Sequence, residues 1–245
     1  GIGKAIALIL ARNGASIVVN DLETRGEETK EEISQLGQHA LLVNADVRNK
    51  DEVKHLVSES EREFGCIDIL VGNAGVNTPG ELRLPINEFD ETEWHRVMDV
   101  DLNGLFYCCR EVTSGMVKRR QGVIVNIASS LGIVPMRNQS AFNAAKAGVI
   151  NLTRSIALEL GPYGIRANAI APGSTLTRGT RELFYNPDNQ DLAESLLSHV
   201  ALGRVGEVEE VANAALFLAS KAASYITGAV LAVDGGWTAG FARDW

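Results

Sequence analysis

Residues 1–21 read GIGKAIALILARNGASIVVND, and three features of that stretch decide the fold. Two glycines stand directly before an apolar run of helical spacing. This is how a phosphate-binding βα turn reads, with a pyrophosphate resting on the N–H groups of the helix N-terminus. A β-branched run, ASIVVND, follows and ends in Asp21, about twenty residues beyond the glycines. An acid there can accept hydrogen bonds from adenosine ribose hydroxyls and repels a 2′-phosphate, which favours NAD over NADP. It can equally cap the helix that LETRGEE announces. The glycine turn should itself follow a strand central to the sheet. A segment on the order of ten residues, one strand and the front of its turn, is therefore expected ahead of Gly1.

Outward from this unit the pattern repeats. HALLVNAD, CIDILVGNAG, GVIVNIASS, GIRANAIAPG and GAVLAVDGG are short apolar or β-branched runs ending in turn residues, and each predicts a strand. Between them lie segments of helical spacing: 22–37, 50–65, 91–120, 141–161 and 207–221. The last three are apolar on more than one face and predict helices buried against a sheet or a subunit. Strict alternation of strand and helix predicts an α/β fold, a doubly wound parallel sheet with helices on both faces. No linker, repeat or low-complexity segment divides the 245 residues, so 1–245 reads as one domain.

Composition narrows the function classes. A net charge of −8 and a pI near 5.1 argue against a nucleic-acid surface or an anionic membrane as partner. No apolar run reaches membrane-spanning length, and no signal peptide is visible. Cys66, Cys108 and Cys109 form no CxxC and suggest neither a disulfide framework nor zinc; they fit a reducing, cytoplasmic setting. The four histidines are scattered without ligand spacing, so no metal site is expected.

Seven motifs, in order and at the right intervals, resemble the short-chain dehydrogenase/reductase family across essentially the whole chain. GIG resembles the end of that family's TGxxxGxG turn. NADV, with Asp46 and Val47, is similar to its adenine-contacting segment, and GNAG at 72–75 to its NNAG strand end. IVNIASSLG resembles the strand that carries the catalytic serine, and AFNAAKAG resembles YxxxK. NAIAPGSTLT is similar to the segment that holds nicotinamide, and VDGG to the C-terminal strand end.

The resemblance implies a Rossmann fold and NAD as cofactor, with roles at individual positions. Gly1, Ile2 and Gly3 would meet the pyrophosphate, and Asn73, Ala74 and Gly75 the adenosine side. Thr175 and Thr177, after Pro172 and Gly173, would hold the carboxamide. Ser129 would hydrogen-bond the substrate oxygen on which charge develops, although Ser129 and Ser130 could also simply cap a strand end. Lys146 would bind the nicotinamide ribose and lower the pKa of a tyrosine four residues before it. That tyrosine is absent: Phe142 stands in its place. In the helix before the serine strand, Asp101 replaces the family's asparagine. Asn103 lies two residues on, on a different face, and is a poor substitute. Asp101 near Lys146 would favour the ammonium and could pair with it.

The activity implied is hydride transfer between NAD(H) and a small-molecule secondary alcohol or ketone, impaired here by the missing phenol. Three readings stay open: a dehydrogenase whose acid has been removed, a pseudoenzyme that binds NAD for structure or sensing, and an enzyme that uses another acid. Tyr185, in the variable and substrate-covering segment at about 178–203, is a candidate for that other acid on location alone. Arg137, Asn138, Arg178 and Arg181 would suit a hydroxylated or anionic substrate, and serve equally well as surface residues. The apolar helices at 93–119 and 142–160 resemble the family's dimer-forming pair, which implies a homotetramer.

Overall fold

In the computed structural model, which describes residues 1–22 and 25–240, every predicted strand is present. They are β1 (Ile17–Asp21), β2 (Ala40–Asn44), β3 (Ile69–Gly72), β4 (Gly122–Ile127) and β5 (Ile165–Pro172), then the two-residue β6 (Thr175–Leu176) and β7 (Gly206–Glu207), and β8 (Val230–Val233). All pairings are parallel. β3, β4, β5 and β8 hydrogen-bond in that order, β1 pairs β2, and β6 pairs β7. The helices are α1 (Ile2–Arg12), α2 (Arg25–Gln35), α3 (Lys50–Phe64), α4 (Glu91–Met98), α5 (Leu105–Arg119), α6 (Ser140–Leu160), α7 (Arg181–Tyr185), α8 (Gln190–Leu197) and α9 (Val208–Ala219). Glu23 and Thr24, within the predicted segment 22–37, lie outside the described residues.

Side chains of successive strand residues point to opposite faces, and β4 divides two cores accordingly. Val125 and Ile127 pack with Ile6 and Leu10 of α1, Ile33 of α2, and Val211 and Leu218 of α9. Ile124 packs on the other side with Val112 and Met116 of α5, Val149 and Ile156 of α6, and Val57 of α3. Buried on both faces, β4 and β5 read as near-continuous apolar runs, as central parallel strands should. Among the described residues no helix is long and apolar enough to cross a membrane.

Two departures from the sequence reading matter for the site. Segment 91–120 is not one helix: residues Asp99–Gly104 form a π-helical turn between α4 and α5. And β1 and β3 have strand partners on one side only. Their other sides line a cleft of about 1150 Å³ that also takes in the start of α1. The central strand expected from the glycine turn has no counterpart among the described residues.

Candidate active site

Because β3, β4, β5 and β8 are parallel, Gly72, Ile127, Pro172 and Val233 close their strands at one end of that sheet, and Asp21 closes β1. That is the end at which open α/β sheets take ligands. The gap between β1 and β3 runs from Ser16 and Cys66 at the opposite end to Asp21 and Asn73 here. Gly1, Ile2, Gly3 and Asp21 line one wall, and Asn73, Ala74, Gly75 and Thr177 contribute to the rest. The first intrahelical bond of α1 runs from Ala5 N to Gly1 O, so the N–H groups before Ala5 have no acceptor within the helix and are available to an anion. A Cβ at Gly1 would meet nothing within 4 Å, whereas one at Gly3 would stand 2.5 Å from Asn73 Nδ2. Gly3 thus lets the start of α1 close against the end of β3.

Asp46, Val47, Pro172, Gly173 and Thr175 are not in its lining. Asp46 follows β2, and its carboxylate receives Nε and Nη2 of Arg48 at 2.6–3.0 Å. This donation holds its pKa below the ordinary carboxylate value. Val47 is buried against Gly104, where a Cβ would come within 2.6 Å of Val47 Cγ2. Gly173 allows the end of β5 to pass Asp234, whose Cα would lie 2.7 Å from an added Cβ. Thr175 is buried and donates its hydroxyl to Gly173 O at 3.1 Å. Thr177 accepts the Thr180 N–H at 3.2 Å and so opens the segment that leads to α7.

Ser129 follows β4, and its Oγ accepts the Leu131 N–H at 3.1 Å, capping a short 3₁₀ turn over Ser130–Gly132. Gly132 then abuts α6: an added Cβ would stand 2.6 Å from the carbonyl carbon of Lys146 and 2.7 Å from its oxygen. That contact fixes the serine turn against the helix bearing Phe142 and Lys146. The sequence signalled it only as a glycine three residues after the serine.

Phe142 is half-buried and packs with a small core of Val97, Ala141 and Ala145. One helical turn on, Lys146 is buried, with Nζ 5.5 Å from the Phe142 ring centroid. The ammonium donates to Ile127 O at 3.2 Å and stands 3.0 Å from Asp101 Oδ2. The two side chains are 6% and 0% exposed. Asp101 Oδ2 makes no hydrogen bond of good geometry, so the contact is a coulombic pair. Oδ1 accepts the Val76 N–H at 2.7 Å. Burial pushes the Asp101 carboxyl above its ordinary pKa, and the Lys146 ammonium and the Val76 amide pull it back. Asn103 points elsewhere and donates to Asp99 Oδ1 at 2.8 Å.

The remaining candidates stand apart from this pair. Tyr185 is 60% exposed with the Arg181 guanidinium over its ring. Arg137 and Asn138 are exposed, Asn138 in the left-handed conformation at φ 62°. Arg178 borders the cleft. No group of three or more His, Cys, Asp or Glu side chains that could hold a metal occurs among the described residues.

Residues 1–238 match a family model described as enoyl-(acyl carrier protein) reductase. A cis-4-hydroxycyclohexanecarboxylate dehydrogenase of Sinomonas cyclohexanicum is 41% identical over 239 residues, covering 98% of this chain and 93% of that protein. Among solved structures, levodione reductase superposes with a TM-score of 0.92 at 34% identity, over 98% of this chain and 95% of the other. NAD⁺-bound xylitol dehydrogenase does so with a TM-score of 0.87 at 29% identity, over 96% and 94%.

Proposed function

This chain belongs to the short-chain dehydrogenase/reductase family, and we propose that it is an NAD(H)-dependent oxidoreductase interconverting a secondary alcohol and a ketone, slowed by the absence of its phenolic acid. One observation carries the reading: a hydrocarbon ring, Phe142, stands over the buried ammonium of Lys146 where a proton-transferring phenol would stand.

The residues present fit the dinucleotide. The N–H groups of Ile2, Gly3 and Lys4 at the start of α1 suit a pyrophosphate. Asp21, at the end of β1 on the cleft wall, suits ribose hydroxyls and disfavours a 2′-phosphate. The bound nicotinamide supplies the hydride acceptor or donor. The protein's part is to orient the substrate oxygen at Ser129, hold the carboxamide near Thr175 and Thr177, and manage the proton. With Phe142 the last task has no side chain on α6 to perform it. General acid–base catalysis is worth roughly 10²–10⁴-fold, about 3–5 kcal/mol of barrier, while binding keeps the ring and its volume.

Names among the relatives point to two substrate classes, a ring-borne or polyhydroxylated alcohol or ketone (a hydroxycyclohexanecarboxylate, levodione, xylitol) and a 3-oxoacyl group on an acyl carrier protein, and we take the first. The segment at 178–203, with α7 and α8, would cover it. The exposed apolar residues Phe106 on α5 and Leu158 on α6 support a homotetramer built through those helices. A second reading, an NAD-binding protein without turnover, is favoured by the buried Asp101–Lys146 pair, which leaves the ammonium already neutralised.

The test compares the protein with Phe142→Tyr, and with Phe142→Tyr plus Asp101→Asn, following nicotinamide absorbance over cyclic alcohols, ketones and sugars. NADH binding is followed by fluorescence in parallel. We expect NADH to bind all three and turnover to rise by about 10²–10⁴-fold in the double variant. Turnover by the unmodified protein already at the double variant's rate would refute the role of Phe142. No NADH binding by any of them would refute the cofactor assignment.

A further inference from the structure

The two departures at 101 and 142 meet at one atom, Lys146 Nζ. In a site with a tyrosine at 142, the lysine's charge is balanced by whatever negative charge the phenol develops, and that balance is what lowers the phenol's pKa. Here the ring cannot ionise. Yet the ammonium is buried, and a buried cation requires a partner. Asp101 supplies one at 3.0 Å, and the Ile127 carbonyl a second contact at 3.2 Å.

We propose that Asp101 is the fixed counter-anion of Lys146, taking over the charge-balancing place of a phenolate at position 142 and leaving the lysine unable to activate any acid placed there. This rests on the reading of Lys146 as the cation that tunes position 142.

Four features hold Asp101 in that place. The π-helical turn directs residue 101 into the interior, so its side chain is fully buried although both flanking helices carry exposed faces. Val76 donates its backbone N–H to Oδ1 at 2.7 Å, which fixes the carboxylate plane and points Oδ2 at the ammonium. Gly75 lies over the pair: a Cβ there would be 3.1 Å from Oδ2 and 3.2 Å from Nζ, so the missing side chain leaves the pair the room it occupies. Last, the neighbouring acids are engaged elsewhere: Asp99 of the π-helical turn accepts from Asn103 at 2.8 Å, and the buried Glu93 of α4 accepts from Arg96. Residues 73–78, β4 and the first half of α6 contain no acidic side chain. The remaining charge acting on Asp101 is Arg96 of α4, itself held by Glu93 at 2.7 Å and by Asn77 O at 2.8 Å.

The experiment reads the phenol introduced by Phe142→Tyr through phenolate absorbance near 295 nm against pH. The protein's own four tyrosines are removed by difference from the matching protein that retains Phe142. With Asp101 present, the introduced phenol should titrate near its ordinary value of ~10. With Asp101→Asn added it should fall by about one unit or more, a tenfold or larger rise in acidity. A value below about 9 in the single variant overturns the proposal, whether or not the double variant folds. So does an identical value in both. The titration needs neither cofactor nor substrate, so failure of NADH to bind would refute the oxidoreductase reading separately.

Discussion

Lys146→Met and Asp101→Asn, made singly and together, test whether the buried charges act as one unit. Opposite charges 3.0 Å apart attract by about 5–6 kcal/mol at an effective dielectric near 20, much of it offset by the cost of burying both. Removing one partner should therefore cost about 3–5 kcal/mol, because the other is left buried and unbalanced. Asp101→Asn should lie at the low end, since an amide oxygen can still accept the Val76 N–H. The double substitution keeps that acceptor and fills the lysine stem's volume with an unbranched apolar chain, so it should fall within about 1 kcal/mol of the parent. Urea unfolding at pH 7 would then give a coupling of several kcal/mol, far above the ~0.3–0.5 kcal/mol of independent sites.

The pH dependence carries a second sign. Burial already holds the Asp101 carboxyl above its ordinary range, and Lys146→Met would raise it further. A carboxyl whose folded pKa is raised contributes stability that is complete below its unfolded value of ~3.9 and is lost as pH rises through the folded value. The single Lys146→Met variant should accordingly recover stability relative to the parent between pH 7 and pH 5. Additive single effects, or a variant deficit that does not shrink on acidification, would refute the account of the pair.

Gly132→Ala should lower the thermal midpoint by several degrees, about 2–4 °C for each kcal/mol in a chain of this size, because the added carbon meets the Lys146 backbone at 2.6–2.7 Å. An unchanged midpoint by calorimetry would show that the serine turn is free to move off α6. Asp21→Asn should narrow the preference for NADH over NADPH by tenfold or more in fluorescence titrations, since the repulsion of a 2′-phosphate goes with the charge. An unaltered ratio would remove Asp21 from cofactor choice.

The strands and the sheet were legible because apolar runs bounded by turn residues state their period directly. IVNI in β4 and NAIAP in β5 are continuous because both faces are covered. What the sequence left unread is set by contacts distant along the chain. The π-helical turn leaves no periodic signature in DVDLNG, and segment 91–120 reads as one helical run across it. Helices α7 and α8 lie in a polar, variable stretch whose spacing is too short to announce them. The pairing of Asp101 with Lys146 could be anticipated from charge alone. Its geometry could not, since it depends on the Val76 amide, the Ile127 carbonyl and the absence of a side chain at Gly75. The capping alternative for Ser129 is realised at Leu131, and a hydroxyl that accepts one N–H retains its proton to donate to a substrate.

The local accounting explains why the two departures belong together. Phenylalanine at 142 with a neutral side chain at 101 would leave a buried ammonium facing one carbonyl and the face of a ring, a contact worth only about 0.5–2 kcal/mol against a desolvation cost of several. Aspartate at 101 with a tyrosine at 142 would set a fixed carboxylate against a developing phenolate around one lysine, and like charges so placed raise the phenol's pKa. Each change made alone opposes either the fold or the chemistry. Together they leave the lysine paired and the ring packed against Val97, Ala141 and Ala145. If the proposed role of position 142 is right, such a site lacks its proton-transferring group while keeping its packing, so turnover should return only when both positions are altered.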